Sequence, residues 1–250
     1  MVEVQPLAMH EAFHPHLIAV QSEVRSAFGW SVSSDAEGVA AMVQCVHALS
    51  LGVPSWLPES RGKSLDLLRR KLLSAPKIVV IGAAVTQQEA DAVATEDAVI
   101  IAADGAVGVL TSLTKLACIV SDFDGGTYLD DAAKSGATVV AHGHGDNILR
   151  SKEALHNWAE SKTPPQLILT HQTPYPVDNA HNFGGFTDGD RAVCFALAMG
   201  VKKENIELVG FAMDVVGRWS ATTVPEQKLQ KLMWMKKILE FVEIDEAIRG

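Results

Sequence analysis

From Lys77 onward the chain alternates short, unbroken apolar runs with longer stretches of mixed polarity. The apolar runs are KIVVIGAA, AVIIAA, LACIVS, ATVVA, QLILT and NIELVGFAM. Between them lie TQQEADAVATE, GAVGVLTSL, TYLDDAAKSG, NILRSKEALHNWAESK and DGDRAVCFALAMG, which have the composition of helices. A strand with one face in water alternates apolar and polar residues, whereas a strand covered on both faces is apolar throughout. These runs are of the second kind. The pattern therefore predicts six mostly parallel strands between two layers of helix, an open doubly wound α/β sheet. A closed eight-stranded α/β barrel would need two more strand–helix units.

Before Lys77 the pattern is helical. SSDAEGVAAMVQCVHALSLG starts on Ser/Ser/Asp and stops on Gly, and SLDLLRRKLLSAP spaces its leucines helically and ends at a proline. Residues 1–72 are expected to form a small helical N-terminal region, and residues 73–250 the α/β domain. After Pro225, EQKLQKLMWMKKILEFVEIDEAI predicts one long amphipathic helix whose Leu/Met/Trp/Ile stripe serves the core or a dimer contact.

Composition narrows the partners. Thirty acidic against 21 basic residues give a formal charge of -9, which argues against nucleic acid, since a phosphate backbone demands a basic face. It leaves room for a phosphorylated small molecule reached through a divalent cation. No apolar run approaches the roughly 18 residues of a membrane span. The start, MVEVQPLAMHEAFHPH, lacks the basic and apolar regions of a secretory signal. Cys45, Cys118 and Cys194 lie far apart in apolar stretches and read as buried free thiols, in keeping with a reducing cytoplasm.

In an open parallel sheet, ligands bind beyond the carboxyl ends of the strands. Asp104, the Asp122/Asp124 pair, Asp146, the Asp188/Asp190 pair and Asp214 all follow such ends, from five of the six strands. Any one of them alone is an ordinary loop or cap residue; together they mark a site. Asp122 and Asp124 project to the same side of extended chain and repel each other unless a cation lies between them. Mg²⁺ carrying substrate phosphates suits such carboxylates. Gly125 and Gly126 allow a sharp turn and a close approach to a ligand.

Several families write similar strings. DFDGGT resembles the nucleophile motif of haloacid dehalogenase phosphatases, but that motif opens its domain, and here two strand–helix units precede it. His142, His144 and Asp146 imitate the start of a metallo-β-lactamase zinc site, yet Asn147 stands where a further histidine belongs. AADGA (102–106), SDFDG (121–125) and HGHGDN (142–147) follow the order of the thiamin pyrophosphokinase motifs. With GGFTDGDRA (184–192) and DVVGRWS (214–220) added, the chain resembles the archaeal-type 6-hydroxymethyl-7,8-dihydropterin pyrophosphokinases over about residues 75–240. Two departures stand out. The first strand runs into IGAAVT rather than a G-A-G-P-S-type turn, keeping Gly82 and placing Thr86 for Ser, and Arg218 replaces a lysine.

The resemblance implies a Mg²⁺-dependent homodimer that transfers diphosphate from ATP to the pterin hydroxymethyl group and releases AMP, for folate or methanopterin-type cofactor synthesis. Thiamin is the alternative acceptor; a phosphatase or a non-catalytic nucleotide-binding module are the other readings. It implies Asp104, Asp122, Asp124 and Asp146 as metal ligands, with Asp122, Asp124, Asp146 and Arg191 in catalysis. Gly82, Thr86, Asp104, Gly105, Gly125, Asn147 and Arg218 are implied on the nucleotide, with Arg150 or Lys152 as further cations. Phe186, Asp188, Asp190, Asp214 and Trp219 are implied on the pterin, with Phe183 as another stacking candidate. The long loop over residues 171–186 is expected to cover the ring. No Walker string is present.

Overall fold

The computed structural model describes residues 12–220 and 225–249. Each predicted apolar run holds a strand: β1 (Ile78–Ile81), β2 (Val99–Ala103), β3 (Leu116–Ser121), β4 (Thr138–Gly143), β5 (Gln166–His171) and β6 (Ile206–Val209). They form one sheet in the order β5-β4-β3-β2-β1-β6, with every neighbouring pair parallel. The helices are α1 (His16–Phe28), α2 (Val32–Leu49), α3 (Pro58–Ser74), α4 (Gln87–Thr95), α5 (Gly126–Lys134), α6 (Ile148–Ala159), α7 (Asp188–Ala198) and α8 (Pro225–Phe241).

The unbroken apolarity of the strands has the expected cause. Ile78 and Val80 of β1 join one core cluster, while Val79 and Ile81 between them join the other. The first cluster is covered by α1, α3, α7 and α8, and the second by α2, α4, α5 and α6. The fold is thus an α/β doubly wound sheet. The N-terminal helices divide between the two faces, α1 and α3 on one and α2 on the other.

Three local differences from the sequence pattern have physical reasons. GAVGVLTSL opens on a 3₁₀ stretch, Asp104–Val109, in place of an α-helix; Gly105 and Gly108 both disfavour the α form there. The third helix begins at Pro58, ahead of its leucine pattern, because proline is at home in a first helical turn. In α2 the cap is Ser31, whose Oγ accepts from Ser34 N at 3.0 Å, so Asp35 falls inside the first turn with its carboxylate free for other partners. The C-terminal stripe is core: Leu232, Met235, Ile238 and Leu239 are buried against the first cluster. Among the described residues no helix is long and apolar enough to cross a membrane.

Strands β1 to β5 step outward in one direction, and the chain then returns past β1 to lay down β6. The order reverses between β1 and β6, and an open α/β sheet has its ligand crevice beyond the carboxyl ends at such a point.

Candidate active site

A crevice opens there. The segments leaving β1 (Gly82, Ala83, Ala84) and β6 (Gly210, Phe211, Ala212) line it. Its acids are Asp104, Asp122, Asp124 and Asp188, and its cations Arg191, Lys228 and Lys231.

Asp104, Asp122 and Asp188 come from the ends of β2 and β3 and the start of α7, and one oxygen of each lies within 4.8 Å of the others. Asp104 holds φ at 49°, a left-handed conformation that turns its carboxylate into the cluster. Ser121 Oγ donates to that carboxylate and accepts from Phe123 N at 2.9 Å, tying the ends of β2 and β3 together. Burial, and then the neighbouring Asp188, Asp124 and Asp122, push the Asp104 carboxyl well above the usual range. Burial and Asp122 do the same to Asp188. Asp122 goes the other way. Burial works against its ionisation, but His144, at 3.3 Å from Oδ2, together with Arg191 and Lys231, holds it charged.

Asp122 Oδ1 is buried with no hydrogen-bond partner. An orphaned carboxylate oxygen on one of three crowded acids is costly as it stands. A hard divalent cation, which takes oxygen ligands and offsets mutual repulsion, fits this donor set.

The structure separates the other sequence-derived candidates. Asp124 lines the crevice and pairs with Arg150 at 3.1 Å, both partly exposed. Asp146 sits exposed in a 3₁₀ turn, off the crevice, and Lys152 is exposed on α6. Asn147 is buried as a clamp: Nδ2 donates to Asp122 O at 3.0 Å and His142 O at 2.7 Å, and Oδ1 accepts from His144 N at 3.0 Å. Asp190 is buried as the capping carboxylate of α7, accepting from Phe186 N, from Thr187 N at 3.0 Å and from Thr187 Oγ1 at 2.9 Å. Thr86 is the N-cap of α4 and pairs with Glu89 as Thr187 does with Asp190.

Asp214 and Arg218 are exposed and off the crevice, Arg218 lying 5.1 Å over the Trp219 ring. Trp219 itself lines the crevice and donates to Val85 O at 2.9 Å. Phe186 lines it too, against Phe28 and Trp30 at 5.8 and 5.9 Å between ring centroids. Phe183 is a core residue, stacked 5.2 Å from His181.

Gly105 and Gly125 face protein, whereas Gly126 faces open space. A Cβ at Gly125 would stand 2.8 Å from Gly105 N and 2.9 Å from Asp104 Oδ1, so the two loops approach closely because residue 125 is glycine, while a Cβ at Gly105 would meet Trp219 O at 2.5 Å. Gly125 and Gly105 are absent from the crevice wall. In HGHGDN, a Cβ at Gly145 would meet Ser34 Oγ at 1.9 Å; these glycines let the loop lie against the first turns of α2.

Sequence reading missed Lys228 and Lys231, which reach the crevice from α8. Their spacing of three puts them on one side of a helix otherwise notable for its apolar stripe, and no local motif marks them. Burial lowers the pKa of Lys231, with Asp122 opposing, and its ammonium lies 5.4 Å over the Trp30 ring.

Fold and crevice together define a doubly wound α/β protein with paired acids and bases at its switch point. No family model matches the chain. It is 36% identical over 176 residues to the 6-hydroxymethyl-7,8-dihydropterin pyrophosphokinase of Pyrococcus furiosus, covering 67% of this chain and 72% of that protein. The protein of the same name from Methanothermobacter thermautotrophicus is 32% identical over 163 residues, 62% of this chain and 67% of its own. A third, from Methanocaldococcus jannaschii, is 31% identical over 134 residues, 50% of this chain and 54% of its own. The chain belongs to the 6-hydroxymethyl-7,8-dihydropterin pyrophosphokinase family.

Proposed function

We propose that this chain transfers diphosphate from ATP to the hydroxymethyl oxygen of 6-hydroxymethyl-7,8-dihydropterin and releases AMP. The observation that carries the proposal is the cluster of Asp104, Asp122 and Asp188 facing Arg191, Lys228 and Lys231 across one crevice. Asp104, Asp122 and Asp188 would hold Mg²⁺, with Asp124 beside them, and the bound ion would neutralise and align the triphosphate. Asp188 thus takes the metal role that the sequence offered to Asp146, and it leaves the pterin set.

Pyrophosphoryl transfer asks the protein for alignment and charge compensation. The pterin hydroxyl oxygen attacks the β-phosphorus and gives up its proton to water, the bond from the β-phosphorus to the bridging oxygen breaks, and AMP leaves with the electron pair. Arg191, Lys228 and Lys231 compensate charge on the transferring group. Fixed cations in a partly dry crevice act more strongly than in water. Phe186 and Trp219 offer aromatic faces to a flat ring.

The test is product analysis after incubation with ATP, Mg²⁺ and either the pterin or thiamin. AMP formed with the pterin alone supports the proposal. AMP formed only with thiamin keeps the chemistry and overturns the acceptor, and phosphate release without AMP overturns both.

A further inference from the structure

Arg191 enters the crevice from the first turn of α7 and is held from behind. Its Nη2 donates to Gln172 Oε1 at 2.8 Å, while Nη1 stands 3.4 Å from Asp188. Gln172 directly follows β5 and is buried. Its amide has a single usable orientation. The carboxylate of Asp35 can only accept, so Nε2 must face it, at 2.9 Å, and Oε1 is left for the guanidinium, which can only donate.

Asp35 is itself buried and pinned, with Gly145 N and Arg25 Nη1 each 3.4 Å away. Arg25 Nη1 also donates to the Gln172 carbonyl at 2.8 Å. A buried polar chain therefore runs Arg25–Asp35–Gln172–Arg191 from α1 and α2 to the crevice. The anchor on Arg191 is a neutral oxygen. It fixes the guanidinium in place without cancelling its charge, which a carboxylate at the same position would do.

We infer that Gln172 is a positioning residue for Arg191, with Asp35 orienting the Gln172 amide. The kinetic part of the test rests on the pyrophosphokinase reading; the spectroscopic part does not. Gln172→Met keeps length and removes the acceptor. It should lower kcat by up to about 100-fold through misplacement of the cation, with little change in the KM for ATP.

If Gln172 acts through Arg191, the loss disappears in an Arg191→Met background; equal losses in both backgrounds would overturn the inference. Independently, ¹⁵N-arginine spectra, with Arg191→Lys identifying the signal, should show distinct Nη resonances in the wild type that merge in Gln172→Met. An unchanged pattern would overturn it even if the wild type forms no AMP. Asp35→Asn, which frees the amide to flip, should reproduce both results should Gln172→Met fold poorly.

Discussion

Asp104→Asn should make the metal-free protein more stable. The side chain has acids for neighbours and one neutral donor, Ser121 Oγ, which an asparagine oxygen can still satisfy. The nearest oxygens of Asp104, Asp122 and Asp188 lie within 4.8 Å of one another, and two unit charges at that distance repel by about 3 kcal/mol at an effective dielectric of about 20. The alternative, keeping Asp104 protonated at neutral pH, costs about 4 kcal/mol relative to an ordinary carboxyl. Burial and the remaining acids add to the first route, so protonation limits the cost and removing the charge gains at most about 4 kcal/mol. For a chain of this size that is a rise in melting temperature of at most roughly 8–16 °C.

The sign with pH follows from linkage. The carboxyl of Asp104 is raised in the folded state, so above its ordinary range the folded protein binds more protons than the unfolded one. Its contribution is intact below about pH 4 and is lost as pH rises toward neutrality. Melting curves in EDTA should show the variant above the wild type at pH 7, with the gap closing as pH falls toward 4. Added Mg²⁺ should lift the wild type more than the variant. A variant that melts below the wild type in EDTA at pH 7 would refute the reasoning and make Asp104 a structural partner of Ser121.

Two further outcomes are expected. Lys231→Met removes a cation that the crevice holds at a desolvation cost; it should leave the melting temperature nearly unchanged while lowering kcat/KM roughly 10- to 100-fold in steady-state assays. Gly38→Ala would set a Cβ 2.1 Å from His144 O, where backbone meets backbone and neither can yield, so urea unfolding should show a loss of about 3 kcal/mol.

Much of the candidate site was legible because a strand end is a local feature. An apolar run that stops at an aspartate places that residue at the carboxyl edge of a parallel sheet, and Asp104, Asp122 and Asp124, which end such runs, all line the crevice. Which acids meet was not legible. Asp146 is as conspicuous in sequence as Asp122, but HGHGDN folds against α2 and leaves that side chain in water. Asp188 and Asp190 are two residues apart, yet helical phase sends the first to the cluster and turns the second back to cap α7.

By itself the sequence determined six buried parallel strands, the edge that collects acids, and the motif strings that its relatives share. Those are properties of short segments, set by which side chains tolerate burial and where the chain must turn. Tertiary structure decided the rest: that Asp188 joins Asp104 and Asp122, that α8 lends Lys228 and Lys231, and that Asp35 and Gln172 stand behind Arg191. These groups come from segments as far apart in the chain as α2 and α8, and only the packing of both helical layers on one twisted sheet fixes the distances between them.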